Sequence, residues 1–307
     1  MNSIHSSNYR TLAIVLLIMT TILWGTTFII TKIVTKEVPI FLFLSLRYLI
    51  ALIGFAPLLI RFIKKINKKI LIYGTISGII YYFAIVTQTY GLQTTSASKV
   101  GFITGLNAVM VPFIVWLFFR KSIDKRIWIA AGLSVIGMAL LVLEGLNGVL
   151  IGDLLVLICA VFCALFIVYN EKYVKLIDIS TYTVVQLIVL TVLCFTSSLI
   201  LQESYDLSKV EIGIIDFWLI MLYMGLIATT VTFLFQNYGQ RHQTASQAAI
   251  IFALEPVFAA FFAYLIGNEI LSWQAWIGCS IIFLAIIITV IKNDNFNEFV
   301  KEKEKSY

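Results

Sequence analysis

Charged residues are scarce in this chain. Only 12% of its 307 residues are Asp, Glu, Lys or Arg, against roughly 25% in an average soluble domain. Hydrophobic residues make up 61%, and the mean hydropathy is +0.99. So little polar surface cannot cover a water-soluble globule of this size. The composition predicts an all-α integral membrane protein, because a backbone that crosses lipid must satisfy its own hydrogen bonds.

Histidine and cysteine are also rare. The two histidines lie in the N-terminal tail and in a polar loop, and all four cysteines fall inside apolar runs with no His or carboxylate near them in sequence to complete a metal site. No HExxH motif and no Asp pair within an apolar run is present, which argues against a membrane-embedded enzyme. No GxxxxGK[ST] loop is present either, so nothing indicates ATP as a driver. We therefore expect no metal, no cofactor and no enzymatic activity.

Long apolar runs fill most of the sequence. A membrane-spanning helix needs about 20 mostly apolar residues. The first run, from Thr11 to Val34, is too long for a cleavable signal and has no small-residue cleavage site. We predict ten transmembrane helices, near 11–34, 39–60, 70–90, 96–119, 127–144, 153–170, 179–201, 217–238, 246–266 and 274–291.

Basic residues are concentrated on one side of these spans. With the N-terminus inside, the outer segments and adjoining helix ends keep only Lys32, Lys36, Lys99 and Lys209. The positive-inside rule then predicts a multi-pass protein of the cell membrane with both termini cytoplasmic, including a charged cytoplasmic tail at 292–307. The charges form short clusters and no continuous basic face, so lipid and not nucleic acid is the expected partner.

The chain also repeats internally. Residues 91–137 align without a gap on 239–285, with identical Gly, Ala-Ser and Trp pairs. Small residues recur at four-residue spacing in both copies, which lets another helix approach closely, within one chain or in a homodimer. Five spans per copy is odd, so the second copy enters the membrane inverted. We predict five-helix repeats at 1–146 and 147–291, with a binding site near the midplane; a duplication that serves only packing is the alternative.

Four segments resemble the EamA-type transporters of the drug/metabolite transporter superfamily. They are LWGTTFIITK, LRYLIAL, GLQTTSASKVGFITGLNAVMVPF and TASQAAIIFALEPVFAAFFAYLIGNEILSWQAWIG. The resemblance extends from about Leu12 to Ile291. It implies ten helices in two inverted repeats, cytoplasmic termini, and export or facilitated movement of small organic solutes such as amino acids, other metabolites or drugs.

Two charged residues fall near the middle of predicted spans. A charge at the bilayer centre is costly, so such residues usually face a cavity or a partner. Arg47 is expected to meet a substrate carboxylate, and Glu255 an amine or a proton. A mutual salt bridge, or Arg47 reaching to the interface, is the structural alternative. The repeat aligns Glu255 with the neutral Asn107.

Prolines fall close to these polar positions. Pro112 and Pro256 cannot donate to the carbonyl four residues earlier, so both repeat helices should kink near Asn107 and Glu255. The freed carbonyls need water, a cavity or another helix. We predict that Trp24, Arg47, Tyr82, Gln88, Asn107 and Glu255 bind substrate, with Glu255 also the candidate for proton coupling. Further candidates are Tyr81, Tyr169, Gln236, Asn237 and Tyr238, whereas Lys99 is expected at a solvated helix terminus.

Together these patterns favour a secondary transporter of a small-molecule substrate, working by alternating access and exporting its solute. A cation and an anion in one cavity suit a zwitterion. A passive channel or a sensor is the alternative, and a membrane-embedded enzyme is a more distant one.

Overall fold

Helices form nearly all of the part of the chain that the computed structural model describes, namely residues 2–56, 59–142, 151–203, 213–267 and 272–290. Those ranges contain no strand. Seven helical stretches are long and apolar enough to cross a membrane, and two shorter apolar helices accompany them. The predicted all-α membrane class is confirmed. The seven stretches are Tyr9–Val34, Lys68–Leu92, Ala97–Phe119, Ile151–Val174, Ile179–Ile200, Ile214–His242 and Ala245–Ile266.

The helices are numbered here in chain order. They are α1 Asn2–Val34, α2 Ile40–Ile53, α3 Leu59–Ile63, α4 Lys68–Leu92, α5 Ala97–Gly105, α6 Asn107–Phe119, α7 Lys125–Val142, α8 Ile151–Val174, α9 Ile179–Ile200, α10 Ile214–Leu222, α11 Thr232–His242, α12 Ala245–Phe252, α13 Glu255–Gly267 and α14 Trp273–Val290. A π-helical segment, Tyr223–Val231, joins α10 to α11.

Helix α2 is shorter than the predicted span 39–60. It ends at Ile53, and its 14 residues rise about 21 Å, less than the roughly 30 Å of a hydrocarbon core. The chain then turns through Gly54 before α3. The predicted boundary between 146 and 147 and the predicted tail 292–307 lie outside the described residues.

Two of the predicted spans are each broken into a pair of helices. The first break is at Leu106, between α5 and α6, and the second is at residues 253–254, between α12 and α13. Asn107 and Glu255 are therefore the first residues of α6 and α13. Pro256 adjoins its break as predicted, whereas Pro112 lies inside α6. The first break is tightened by a bond from Leu106 N to the carbonyl three residues earlier (3.2 Å).

The broken helices cross each other closely. Helix α5 packs on α13, and α12 packs on α6. A Cβ added at Gly101 would lie 3.2 Å from Pro256 Cα, and one at Gly105 would lie 3.3 Å from Pro256 Cγ. The small-residue stripe of α5 therefore serves close packing within the chain. Elsewhere α7 packs on α14, α4 on α8 and α9, and α1 on α11 and α13.

A fully buried amide network ties four helices together. Asn170 Nδ2 of α8 donates to Asn237 Oδ1 of α11 (2.7 Å) and also to Gln240. Asn237 Nδ2 donates to Gln186 Oε1 of α9 (3.0 Å), and Gln186 Nε2 donates to Ser77 Oγ of α4 (2.8 Å). All five side chains are essentially inaccessible to solvent. We call this group the amide network.

Asp178 begins α9 as a helix cap. Its Oδ1 accepts hydrogen bonds from Thr181 N (3.0 Å) and Thr181 Oγ1 (2.6 Å). Partial burial opposes ionisation, but the two bonds, together with nearby Lys65 and Arg241, outweigh it and lower the pKa of Asp178 from its ordinary value. A charged carboxylate at a helix N-terminus stabilises the helix.

Candidate functional site

A small cavity lies where the two broken helices meet the rest of the bundle. Its volume is about 40 Å³, enough for about three water molecules. It draws side chains from nine of the described helices, and we call it the central cavity. Its lining residues are Trp24, Thr27, Arg47, Tyr81, Ile85, Gln88, Thr104, Asn107, Cys163, Phe166, Ile167, Gln236, Phe252 and Glu255.

Most of the predicted site residues come together in this lining. Trp24, Arg47, Gln88, Asn107 and Glu255 all contribute to it, although they are spread from α1 to α13. The geometry therefore supports grouping them as one site.

Tyr82 lies elsewhere. Its hydroxyl shares a hydrogen bond with Ser197 Oγ (2.6 Å), away from the cavity lining. Its neighbour Tyr81 lines the cavity instead, where its ring contacts Phe166 and Phe233. Successive residues of an α-helix point about 100° apart, so the two tyrosines face different neighbours.

Arg47 is buried among neutral partners. Only 3% of the residue is exposed. Its Nε donates to Thr229 Oγ1 (2.8 Å), and its Nη2 lies 3.5 Å from the Ala228 carbonyl oxygen. Within the described ranges, no carboxylate lies within ion-pairing distance of the guanidinium. The charge does not reach to an interface, and it does not form the mutual salt bridge with Glu255.

Three residues of the cavity lining carry hydrogen-bond acceptors that have no donor within the described ranges. The Glu255 carboxylate makes no hydrogen bond or ion pair in the part of the chain that the structure describes, and the residue is 8% exposed. Asn107 Oδ1 and Gln236 Oε1 are buried and lack hydrogen-bond partners as well. Buried polar atoms without partners are uncommon and costly, so these oxygens indicate a place for a ligand or water that donates hydrogen bonds.

The lining residues are related by the repeat. The register that aligns Asn107 with Glu255 also aligns Gln88 with Gln236, and all four line the central cavity. Extending the sequence alignment three residues before Gly91 would have revealed the second pair. The Gln236 side chain joins the site in this way, although sequence reasoning placed it among the secondary candidates.

Two threonines of the site were missed from the sequence. Thr229 accepts from Arg47, and Thr232 Oγ1 accepts from Trp24 Nε1 (3.1 Å). Threonine is common in apolar helices, where its hydroxyl usually bonds the preceding turn. Neither residue carries a distinguishing signal in the sequence.

A larger opening lies at the end of the bundle where α1 begins. This vestibule has a volume of about 690 Å³ and is framed by the ends of α6, α8 and α11 and the starts of α7 and α12. Its charged lining residues are Arg10, Lys121, Asp124, Arg126, Glu171, Lys172, Lys175 and Arg241. A layer of buried apolar side chains, including Leu17, Val111, Ile251 and Phe252, lies between the vestibule and the central cavity.

The opposite end of the bundle is closed by a buried ion pair. Lys99 Nζ of α5 contacts Asp153 Oδ2 of α8 at 2.6 Å, and Thr95 Oγ1 donates to Asp153 Oδ1 at 2.9 Å. Lys32 Nζ donates to the Thr95 carbonyl oxygen (2.9 Å). The expectation of a solvated Lys99 is wrong, because Asp153 provides a charged partner beside it.

Metal ligands are not grouped in this site. Among the described residues, no three His, Cys, Asp or Glu side chains lie close enough to hold a metal ion. The polar groups that the central cavity offers are hydrogen-bonding and charged side chains.

The chain is similar to known proteins along almost its whole length. A family model described as the EamA-like transporter family matches twice, at residues 11–143 and 150–291. An uncharacterized transporter from Archaeoglobus fulgidus is 30% identical over 276 residues, covering 90% of this chain and 85% of the relative. The uncharacterized transporter YetK of Bacillus subtilis is 24% identical over 92% of this chain and 88% of its own length.

A crystal structure of another protein has the same fold. It aligns with a TM-score of 0.72 over 91% of this chain and 96% of the other, at 19% sequence identity. The helices and the relatives together define a multi-pass membrane transporter. The chain belongs to the EamA-like transporter family, as its resemblance indicated.

Proposed function

We propose that this protein is a secondary transporter that moves small organic metabolites, such as amino acids or related solutes and drugs, out across the cytoplasmic membrane by alternating access. One observation carries the proposal. Arg47 and Glu255 line the same central cavity, and neither forms an ion pair in the described ranges. A solute that bears both charges would supply the partner that each lacks.

The proposed architecture is ten spans in two inverted repeats, 1–146 and 147–291, with both termini cytoplasmic. The twofold match of the family model supports it. So do the paired helix breaks before Asn107 and Glu255, and the reciprocal packing of α5 on α13 and of α12 on α6. Because the small-residue stripe is occupied within the chain, a homodimer would use other helix faces.

Alternating access is supported by the separation of the two openings. The vestibule lies at the end that the basic residues assign to the cytoplasm, and a buried apolar layer separates it from the central cavity. A passive pore needs a continuous path. A transporter needs a site that is closed from at least one side at any time, and export begins from the side of the vestibule.

Growth assays and vesicles test this function. Cells that overproduce the protein should tolerate higher external concentrations of one class of amino acids or cationic drugs than cells that lack it. The same solute should then accumulate in everted vesicles that contain the protein. An absence of both effects across a broad panel would contradict the proposal.

Loop tagging tests the architecture separately. The loop that carries Lys64 and the turn that follows α11, next to Arg241, should both report the cytoplasmic side. If the two loops reported opposite faces of the membrane, the inverted-repeat proposal would be refuted.

A further inference from the structure

One helix of the cavity wall departs from α-helical geometry. Between Tyr223 and Val231 the backbone is π-helical, so its hydrogen bonds reach five residues back. The side chain of Thr229 follows the same register and donates from Oγ1 to the Met224 carbonyl oxygen (2.7 Å). π-Helical segments are rare, short and frequently located at functional sites. This one covers nine residues.

Two residues of the central cavity converge on this segment. Arg47 Nε donates to Thr229 Oγ1 (2.8 Å), and Arg47 Nη2 approaches the Ala228 carbonyl oxygen (3.5 Å). Thr232 Oγ1 donates to the same carbonyl (2.9 Å) and accepts from Trp24 Nε1 (3.1 Å). The π-helical segment therefore holds the guanidinium directly, and it holds the indole through Thr232, the first residue of α11.

Helix α2 contacts the same segment along its backbone. A Cβ added at Gly225 would lie 2.5 Å from Ile50 Cγ2 and 3.0 Å from the Arg47 carbonyl oxygen. Thr230 Oγ1 donates to the Ala51 carbonyl oxygen (2.7 Å). The contact of Gly225 with the Arg47 carbonyl oxygen holds the Arg47 backbone close to Thr229, whereas the Thr230 bond reaches Ala51, about one turn further along α2.

The hydrogen bonds leave the charge of Arg47 without a counter-ion. A guanidinium has five N–H donors, and the described contacts use one on Nε and one on Nη2. Nη1 makes no hydrogen bond to the described residues and is not among the buried atoms that lack partners, so this end of the guanidinium has access to the cavity. A paired N–H edge of this kind matches the two oxygens of a carboxylate. Since a buried unpaired charge is strongly unfavourable, an anion that enters the cavity would be bound there.

We propose that Arg47 is the group that binds a carboxylate of the ligand in the central cavity, and that Thr229 is its positioning residue. The proposal deepens the proposed function, on which it rests for the identity of the ligand as the transported solute. A valine at position 229 would keep the shape but lose the oxygen that orients the guanidinium.

Cys163 offers a reporter inside the cavity. It is a free cysteine that lines the central cavity with Arg47. Purified protein in detergent is labelled with two thiol reagents of similar size, the anionic sulfonatoethyl and the cationic trimethylammonioethyl methanethiosulfonate. The ratio of the two labelling rates at Cys163 reports the electrostatic potential beside it. Labelling of the Cys163→Ser variant is subtracted as background from the other cysteines.

The expected result is a change in charge preference. Arg47→Gln should lower the anionic-to-cationic rate ratio by about tenfold, because it removes one unit charge from the cavity wall. Thr229→Val should lower the ratio in part, and Thr229→Ser should retain it. Thr230→Val is the matched control in the same segment, because Thr230 bonds Ala51 and not Arg47, and its ratio should equal that of the wild type.

Acetate supplies a direct probe of carboxylate binding. It should slow the labelling of wild-type Cys163 by the anionic reagent more than chloride at the same ionic strength does, because it occupies Arg47 and neutralises its charge. Arg47→Lys keeps the charge but lacks the paired N–H edge, so acetate protection should be lost while the rate ratio is largely retained. Size-exclusion profiles identify any variant that fails to fold. If Arg47→Gln or Thr229→Val fails to fold, Arg47→Lys still tests acetate protection and Thr229→Ser still tests the role of the hydroxyl.

Clear outcomes would overturn the inference. An unchanged ratio in Arg47→Gln, or acetate protection that persists in it, would refute the carboxylate site. A lowered ratio in Arg47→Gln with a wild-type ratio in Thr229→Val would refute the role of Thr229. The labelling needs no gradient and no transport, so its failure is distinguishable from a failure of the proposed function.

Discussion

The ion pair between Lys99 and Asp153 should dominate the stability of the closed end of the bundle. Each side chain is only 8% exposed, and the two charged atoms are 2.6 Å apart. At an effective dielectric constant near 20, such charges attract by about 6 kcal/mol, and desolvation offsets much of that gain. Removing one partner leaves the other charge buried. Lys99→Met or Asp153→Asn alone should therefore lower the free energy of unfolding by about 3–5 kcal/mol.

The double variant distinguishes this mechanism from simple loss of packing. With both charges gone, most of the penalty should disappear, so the double variant should be more stable than either single variant. Stability is measured by unfolding the purified protein in mixed micelles with increasing SDS, followed by tryptophan fluorescence. The wild type, the two single variants and the double variant together form a double-mutant cycle. The exposed pair of Lys175 and Glu171 is the control, and Lys175→Met should change stability by less than about 1 kcal/mol. Additive effects of the two single substitutions, or a loss below about 1 kcal/mol in each, would refute the reasoning.

Three further predictions concern the site, the packing and a helix cap. Glu255→Gln should abolish the pH dependence of solute uptake into everted vesicles, because no proton can then bind there; an unchanged pH profile would remove Glu255 from coupling. Gly25→Ala should lower the free energy of unfolding by about 1–3 kcal/mol, because a Cβ there would lie 2.5 Å from Phe258 Cβ. Gly132→Ala is the control: a Cβ there would have nothing within 4 Å, so it should be neutral or slightly stabilising. Equal effects of the two substitutions would contradict the packing argument. Asp178→Ala should lower the free energy of unfolding by about 1 kcal/mol at neutral pH. Because folding lowers the pKa of Asp178 from 3.8, the charged carboxylate stabilises the protein above that pH. The difference in stability between the two proteins should vanish as the pH falls below it.

The general class of the molecule could be predicted from the sequence because lipid imposes a simple requirement. Every backbone polar group must be paired within the span, so each long apolar run is a helix. The same requirement made Arg47 and Glu255 visible, because a charge inside an apolar run is conspicuous. Their neighbours Trp24, Gln88 and Asn107 were selected on similar grounds and line the same cavity.

The sequence does not show which side of a helix faces the cavity, or which residues far apart in the chain become partners. Tyr81 and Tyr82 lie in a helix that is apolar on all sides, so composition does not reveal which of them faces the cavity. Lys99 and Asp153 are 54 residues apart in sequence, and nothing near Lys99 indicates an acid beside it. The π-helical segment at Thr229 packs against α2, and no residue pattern within the segment indicates either its register or this contact.

The amide network also bears on how the membrane protein is assembled. It joins Ser77, from the first predicted repeat, to amide side chains of the second. A fragment that ended near residue 146 would expose Ser77 to lipid, and one that began there would expose Gln186 and its partners. Because amides stay neutral at every physiological pH, the pairing is insensitive to the acidity on either side of the membrane. The two halves should therefore be produced separately with low yield, and co-expression should recover a stable complex that withstands changes of pH.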